Sequence, residues 1–177
     1  MTASPVGWPV IACGERHLDE IRAIYNEAIE KTTAVYEETP RTSAMMADWF
    51  AAKQQAGLPV LGIERDGQLA GFATWGAFRP YSAYARTAEH SVYVATAWQR
   101  QGIGRQLLNR VIDEATARGL HLLVAGIDAT NTPSISLHRQ AGFCHAGTIR
   151  EAGFKFGRWL DLEFWQRPLG GLPVSAS

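Results

Sequence analysis

The sequence contains little cysteine, no excess of either charge and no long hydrophobic run. Cys13 and Cys144 are the only cysteines among 177 residues, and this favours buried or free thiols in a reducing cytoplasm over a disulfide framework. Lys and Arg number 17, as do Asp and Glu, and this balance argues against nucleic-acid binding. No apolar run approaches the ~20 residues that span a membrane, and the segment 1–9 lacks the features of a signal peptide. We therefore expect a cytoplasmic protein that binds neither membranes nor nucleic acid.

Length and composition favour a single domain. The chain has 177 residues, of which 46% are hydrophobic, enough for one sizeable core. We expect one domain over 1–177, with its core over about 8–167 and a flexible tail over 168–177 that is rich in Gly, Pro and Ser.

Hydrophobic spacing and turn residues predict an α/β (α+β) fold with a mixed sheet of about six to seven strands and about four helices. Asp66-Gly67 predicts a tight hairpin turn. Strands are predicted over 10–13, 59–64, 69–75, 89–94, 120–127, 144–150 and 159–166, and helices over 17–31, 43–57, 103–118 and 131–141.

The most informative segment runs from Ser91 to Leu108, where an apolar strand leads through a glycine-containing turn into an amphipathic helix. Gly102 and Gly104 allow the backbone to turn sharply and to approach a ligand closely. The first N–H groups of the helix have no partners within it, and Arg100 and Arg105 add positive charge. The segment therefore predicts a binding site for a pyrophosphate or a similar anion.

Two known glycine-turn designs do not fit this segment. A P-loop requires Lys followed by Ser or Thr after its second glycine, whereas Arg105 and Gln106 follow Gly104. A dinucleotide fingerprint requires a third small residue where Leu107 stands, and Asp128 only loosely meets the requirement for a ribose-binding acid.

A third design, Gln/Arg-x-x-Gly-x-Gly/Ala after a strand, is present at positions 99–104, and Asn131-x-x-Ser-x-x-Leu-His-Arg-Gln-Ala-Gly-Phe follows at 131–143. With these two motifs the chain resembles the GNAT acyltransferase superfamily. The resemblance implies the GNAT fold, with a strand pair that splays apart for acetyl-CoA as co-substrate and no metal. It assigns the contacts with acetyl-CoA to Val92, Tyr93, Val94, Arg100, Gln101, Gly102, Ile103, Gly104, Arg105 and Asn131. Asn131 could equally cap its own helix.

Further motifs cover nearly the whole chain, above all Thr-Ala-Glu-His-Ser-Val-Tyr-Val at 87–94 and Gly-Phe-Lys-Phe-Gly-Arg-Trp-Leu-Asp at 153–161. They resemble the phosphinothricin and methionine sulfoximine/sulfone N-acetyltransferases. That resemblance implies a cytoplasmic homodimer that acetylates the α-amine of a small amino-acid analogue.

Glu89 is the expected general base. Acetyl transfer needs the lone pair of an amine that is mostly protonated at neutral pH, and a positioned carboxylate can accept the proton. The position of Glu89 in the resembling motif favours this role over that of a solvated surface residue. The resemblance also assigns the stabilisation of the thioester oxygen to backbone N–H groups of Val92, Tyr93 and Val94.

Two histidines have alternative roles at this stage. His138 stands where many members of the superfamily carry a Tyr that acts as general acid. It could likewise protonate the leaving thiolate, or it could be a hydrogen-bonded helix residue. His90 is expected to face away from Glu89, because neighbouring strand residues point to opposite sides. It is a candidate for substrate contact, together with Ser91, or for packing.

The loop Arg79-Pro80-Tyr81 is the remaining candidate for substrate binding. A guanidinium can bind a carboxylate with two hydrogen bonds, and aromatic residues suit a short apolar or sulfur-containing side chain. Arg79 could also be an ordinary surface charge. The aromatic residues of the C-terminal stretch, Phe154, Phe156, Trp159, Phe164 and Trp165, would pack in the core or form a dimer interface.

Together these observations predict an acetyl-CoA-dependent N-acetyltransferase for a small amino acid, acting by direct attack on the thioester. Two alternatives stay open. The acceptor could be another small amine or a protein N-terminus, or the chain could be an acyl-CoA-binding module without transfer activity.

Overall fold

The computed structural model describes residues 7–170, which contain a seven-stranded mixed sheet in the order β1-β2-β3-β4-β5-β7-β6. Neighbouring strands are antiparallel except for the β4–β5 pair, which is parallel. The α/β architecture predicted from the hydrophobic spacing is confirmed. The strands are β1 (Val10–Ala12), β2 (Val60–Arg65), β3 (Gln68–Ala77), β4 (Thr87–Val94), β5 (Leu122–Asp128), β6 (Cys144–Lys155) and β7 (Arg158–Pro168), and the helices are α1 (Leu18–Lys31), α2 (Ser43–Gln55), α3 (Ile103–Ala117) and α4 (Thr132–Gln140).

The helix and hairpin boundaries follow from local chemistry. Thr42 accepts a hydrogen bond from the backbone N–H of Met45 at 3.2 Å and so caps α2. Gly119 ends α3 with a φ of 75°, the left-handed conformation that glycine adopts without strain. Asp66 and Gly67 have φ values of 50° and 78°, as the predicted tight turn between β2 and β3 requires.

Two apolar layers cover the two faces of the sheet. On one face α1 and α2 pack over β2 and β3, with Ile21, Phe50 and Phe72 at the centre of the layer. On the other face the apolar stripe of α3, which includes Leu107 and Val111, packs against β2, β3 and β4. Successive residues of β4 face these layers alternately, because strand side chains alternate in direction.

The parallel ladder between β4 and β5 is short. It contains Thr87 with Leu122, Ala88 with Leu123 and Glu89 with Val124. Beyond Glu89, β4 continues to Val94 alongside β3, and β5 continues to Asp128 alongside β7. The two strands therefore separate in the middle of the sheet, and the expected splayed pair is confirmed.

The C-terminal hairpin is longer than the spacing predicts. β6 continues to Lys155 instead of ending near 150, and its register with β7 shifts between Ile149 and Gly153. This irregularity hides the strand in the sequence, because the alternation of apolar and polar residues is lost where the register shifts. At the other end of the hairpin, Pro168 still belongs to β7, and Leu169 donates to the carbonyl of His121 at 2.8 Å.

The rest of the predicted tail, over 171–177, lies outside the described residues, as do residues 1–6 at the start of the chain. Within 7–170, no helix has the length and apolar character that a membrane span requires.

Candidate active site

The turn between β4 and α3 has the conformation of an anion-binding loop. Arg100 and Gly102 both have positive φ values, of 61° and 85°, so the chain reverses sharply before α3 begins at Ile103. The side chain of Gln99 donates to the carbonyl of Val94 at 3.2 Å and holds the loop against the end of β4. The first turn of α3 carries no acidic residue, so its free N–H groups are open to an anion.

A cavity of about 840 Å³ extends from this turn through the gap between β4 and β5. This volume lies within the range typical of small-molecule and cofactor sites. Of the residues predicted to contact acetyl-CoA, the cavity is lined by Val92, Tyr93, Val94, Arg100, Gly102, Gly104, Arg105 and Asn131.

Gln101 and Ile103 do not line the cavity. The amide of Gln101 donates to the carbonyl of Ala97 at 3.4 Å, and the side chain of Ile103 is buried in the core. Only the backbone of Ile103, at the start of α3, can therefore face an anion.

The backbone of β4 presents hydrogen-bond donors to the gap. The N–H of Ala95 donates to the carbonyl of Ala70 on the β3 side at 3.0 Å, which fixes the phase of the antiparallel ladder. Because donors alternate along such a ladder, the N–H of Tyr93 is directed at its partner Phe72 on β3. The N–H groups of Val92 and Val94 then point the other way, into the gap that β5 has left.

Asn131 begins α4 at the edge of the same cavity. Its side-chain oxygen accepts a hydrogen bond from the backbone N–H of Ser134 at 3.2 Å, so Asn131 does cap its helix. The side-chain amide has donors that this cap does not use. The cap is therefore compatible with the predicted contact with acetyl-CoA, which stays a prediction.

His90 and His138 form a buried pair between β4 and α4. Their Nε2 atoms are 3.0 Å apart, and Nδ1 of His138 is 2.8 Å from the carbonyl oxygen of Ser134. A carbonyl only accepts, so His138 carries its proton on Nδ1 and accepts from Nε2–H of His90. Burial lowers the pKa of His138, and burial together with the neighbouring His138 lowers the pKa of His90 to about 3.

This neutral pair bears on the two roles predicted for the histidines. Both nitrogens of His138 are occupied by hydrogen bonds inside the protein, although its ring lines the large cavity. The acid role of His138 therefore stays a prediction, and the pair's observed hydrogen bonds join β4 to α4. The side chain of His90 points towards His138, on the face of the sheet opposite to that of Glu89, as the strand alternation predicts.

Glu89 lies at the point where β4 and β5 separate. Its side chain lines a second, smaller cavity of about 170 Å³ on the face of the sheet that α1 and α2 cover, together with Ser91. Burial raises the pKa of Glu89, and the positive charge of Arg79 partly opposes that shift. A raised pKa brings a carboxylate closer to the working pH of a general base.

Gly126 on β5 leaves the space that the Glu89 carboxylate occupies. A Cβ atom at this position would lie 3.1 Å from Oε1 of Glu89, closer than the carboxylate tolerates without moving. Gly126 itself lines the large cavity. Glu89 thus stands between the two cavities, with its carboxylate directed at the gap.

Aromatic side chains form the wall of the small cavity. The rings of Tyr25 and Phe72 lie 5.3 Å and 5.2 Å from the ring of Tyr93, and Trp49 lies 6.3 Å from Phe72. Such edge-on and tilted contacts hold the rings in fixed positions.

Two cations also line the small cavity. Arg41 is engaged by Glu37, since Nε and Nη2 each lie 3.2 Å from Oε2 of that carboxylate. Lys53 donates to the carbonyl oxygen of Trp75 at 2.6 Å.

The loop residues Arg79, Pro80 and Tyr81 lie outside the lining of both cavities. Arg79 is exposed, with its guanidinium 4.3 Å from the ring centre of Phe78 and a hydrogen bond of 2.8 Å to the Phe78 carbonyl. Tyr81 is 70% exposed. Their contact with substrate stays a prediction, while the electrostatic effect of Arg79 reaches Glu89.

Sequence reasoning missed Lys53, and a usable signal was present. Met46, Trp49, Phe50 and Lys53 follow the spacing i, i+3, i+4 and i+7, so they share one helix face. A lysine on an otherwise apolar face is the signal, because a charge there must meet a partner or a ligand. Within residues 7–170 the side chains form no cluster of metal-ligating groups.

Comparison with known proteins agrees with this geometry. Residues 21–143 match the model of the acetyltransferase (GNAT) family. An L-methionine sulfoximine/L-methionine sulfone acetyltransferase from Pseudomonas aeruginosa is 44% identical over 86% of this chain and 90% of its own length. A phosphinothricin N-acetyltransferase from Alcaligenes faecalis is 43% identical over 86% of this chain and 78% of its own length.

A solved structure with the same fold contains bound acetyl-CoA. The phosphinothricin acetyltransferase from Sinorhizobium meliloti, solved in complex with acetyl-CoA, is 35% identical, with a TM-score of 0.90 over 95% of this chain and 94% of its own. The splayed strands, the glycine turn and these similarities agree, and the chain belongs to the acetyltransferase (GNAT) family.

Proposed function

We propose that this protein transfers the acetyl group of acetyl-CoA to the α-amine of a small amino acid of the methionine sulfone, methionine sulfoximine or phosphinothricin type. The position of Glu89 carries the proposal. Its carboxylate lines the small cavity and approaches Gly126 at the gap, so a base stands where an acceptor amine and a thioester could meet. The names of the relatives support this class of acceptor.

The large cavity fits acetyl-CoA in chemistry and in size. The free N–H groups at the start of α3, together with Arg100 and Arg105, would hold the pyrophosphate. A Cβ at Gly104 would lie 3.5 Å from Leu137 and 3.6 Å from Val94, so the protein's own packing leaves room for a methyl group. Glycine at this position instead keeps the backbone open to a ligand.

The chemistry is a direct transfer between two bound substrates. Glu89, directly or through a water, accepts a proton from the α-ammonium group and frees its lone pair. The amine nitrogen then forms a bond to the thioester carbon as the carbon–sulfur bond breaks, and the sulfur leaves with the electron pair as thiolate. The amide forms when the nitrogen loses its second proton, which passes to the thiolate. The N–H groups of Val92 and Val94 are directed to stabilise the negative charge that develops on the carbonyl oxygen. His138 is the candidate that relays this proton from the nitrogen to the thiolate.

We further propose a homodimer in the cytoplasm, where Cys13 and Cys144 remain reduced. Phe154, Phe156 and Trp159, on the β6–β7 hairpin, are 53%, 56% and 60% exposed. The rings of Phe154 and Trp159 pack together at 5.1 Å. Three large exposed aromatic side chains on one hairpin support a protein interface.

A thiol-release assay tests the function. The protein is mixed with acetyl-CoA and, in turn, L-methionine sulfone, L-methionine sulfoximine, phosphinothricin, a polyamine and a peptide with a free N-terminus. We expect release with the amino-acid analogues. Release only with the polyamine or the peptide would assign a different acceptor. Binding of acetyl-CoA with no release in any mixture would favour a non-catalytic module.

The variant Glu89→Gln tests the base. Turnover should fall about 10²- to 10⁴-fold, the usual contribution of general base catalysis, with the affinity for acetyl-CoA unchanged. Glu30→Gln, at an exposed position of α1, is the control and should retain full activity. Unaltered turnover of Glu89→Gln across the pH range would remove Glu89 from the mechanism.

A further inference from the structure

Lys53 is a cation of the small cavity that has no carboxylate partner among residues 7–170. It is half-buried on α2 and lines the small cavity together with Glu89. Its ammonium group carries three donors, of which one is directed at the carbonyl of Trp75 at 2.6 Å. Among the ion pairs formed within residues 7–170, none includes Lys53.

The second cation of the cavity is already neutralised. Arg41 forms a two-atom contact with Glu37, and its guanidinium lies 4.9 Å from the ring centre of Tyr25. Lys53 differs because its surroundings are the Trp75 carbonyl and the ring of Trp49, 5.8 Å away. A bound anion would therefore gain more from Lys53 than from Arg41.

The sheet geometry places Lys53 on the same face as Glu89. Gly76 on β3 is the direct cross-strand partner of Glu89, and such partners project to the same face. A Cβ at Gly76 would lie 3.6 Å from Nζ of Lys53. Because Gly76 has no side chain, the part of the small cavity between the Lys53 ammonium group and β4 stays open.

The carboxylate of Glu89 extends away from Lys53, towards Gly126 on β5. The strands β3 and β5 flank β4 and are therefore roughly 10 Å apart, which is two strand spacings. The Lys53 ammonium group lies near β3 and the Glu89 carboxylate near β5, at the two ends of this distance. A space of this width separates a base from a cation and can admit a zwitterion between them. We propose that the Lys53 ammonium group binds the α-carboxylate of the acceptor amino acid while Glu89 receives its α-amine.

This assignment rests on the proposed function and makes it more specific. An α-amino acid carries its ammonium and carboxylate groups on one carbon, and the side chain is then free to enter the aromatic wall of Tyr25, Trp49, Phe72 and Tyr93. Methionine sulfone has no charge in its side chain, so the α-carboxylate is the anion that Lys53 can bind in this acceptor. Burial lowers the pKa of Lys53 to about 8, which leaves the ammonium form dominant at neutral pH.

The experiment compares L-methionine sulfone with its carboxamide, which keeps the α-amine and loses the negative charge. A charge-assisted hydrogen bond contributes about 1.5–3 kcal/mol, which corresponds to roughly 10- to 150-fold in kcat/KM. Lys53→Met should lower kcat/KM for the acid by this factor, mainly through KM, and change the value for the carboxamide less than threefold. Lys53→Arg should retain most of the preference for the acid. Gln54→Met, at the exposed neighbouring position, should leave kcat/KM unchanged for both substrates.

The outcomes separate this inference from the function on which it rests. Wild type could acetylate the acid while Lys53→Met lowers kcat/KM equally for the acid and the carboxamide. In that case Lys53 has only a structural role, joining α2 to β3, and the inference is wrong while the function stands. Equal use of acid and carboxamide by wild type would also overturn it. If wild type acetylates neither, the proposed function fails and the inference fails with it.

Discussion

Lys155 should be among the most important single side chains for stability. It projects from the end of β6, is only 2% exposed, and its ammonium group donates to the carbonyls of Ile29, Thr32 and Val35 at 2.6, 2.8 and 2.8 Å. Ile29 lies in the last turn of α1, where carbonyls have no partner within the helix. The positive charge also stabilises that end of the helix dipole. Lys155 thus joins the C-terminal hairpin to α1 and to the segment that follows it.

Replacing Lys155 by Met keeps most of the apolar stem and removes the three donors. Each hydrogen bond to a charged group contributes about 1.5–3 kcal/mol, and part of this total is offset because the buried charge disappears as well. We expect the free energy of unfolding to fall by about 3–5 kcal/mol, because three carbonyl oxygens that face the buried ammonium group each lose a donor at about 1–3 kcal/mol, less the cost of burying the charge. For a chain of this size that corresponds to a drop in Tm of roughly 6–20 °C.

Thermal and urea unfolding of the two proteins measure this difference. Lys31→Met is the matched control, because Lys31 is exposed and forms only a surface pair with Glu27 at 3.2 Å; its loss should cost about 0.3–0.5 kcal/mol. A Tm for Lys155→Met that equals that of the control would refute the reasoning. The segment 31–34 also lines the large cavity, so the KM for acetyl-CoA should rise in Lys155→Met.

Two further variants probe the surroundings of Glu89. Gly126→Ala places a Cβ 3.1 Å from the carboxylate oxygen, so we expect kcat to fall roughly tenfold or more with an unchanged Tm; full activity would show that the carboxylate need not lie there. Arg79→Gln removes a charge that lowers the pKa of Glu89. The pKa should then rise, and because the base works deprotonated, the acidic limb of the pH profile of kcat/KM should move to higher pH. A limb that stays in place, or moves to lower pH, would contradict the assignment of that limb to Glu89.

The fold was largely predictable because its signals are local. The glycine turn at 99–104, the cap at Thr42 and the Asp66-Gly67 hairpin each depend on a few adjacent residues, and spacing reveals them. The end of β6 was not predictable, since the register shift between Ile149 and Gly153 removes the alternation.

The site was only partly predictable because several of its contacts connect distant parts of the chain. Lys53 meets the Trp75 carbonyl, the space beside Glu89 depends on Gly126, and Lys155 reaches α1 more than 100 residues away. Neither composition nor periodicity reports such pairings. The histidine pair adds a second kind of difficulty, because the proton positions of His90 and His138 follow from a single carbonyl at Ser134.

The separation of β4 from β5 creates a strand edge in the interior of a sheet. Exposed strand edges normally invite pairing with another chain, and here the edge faces a cavity that a small molecule can fill. The donors at Val92 and Val94 belong to the main chain, so no side-chain substitution deletes them. The proposed recognition of acetyl-CoA at this edge therefore depends on the path of the backbone and not on particular side chains. The side chains at 92 and 94 can change during evolution, provided that the strand persists, while the same two hydrogen-bond donors continue to face the gap.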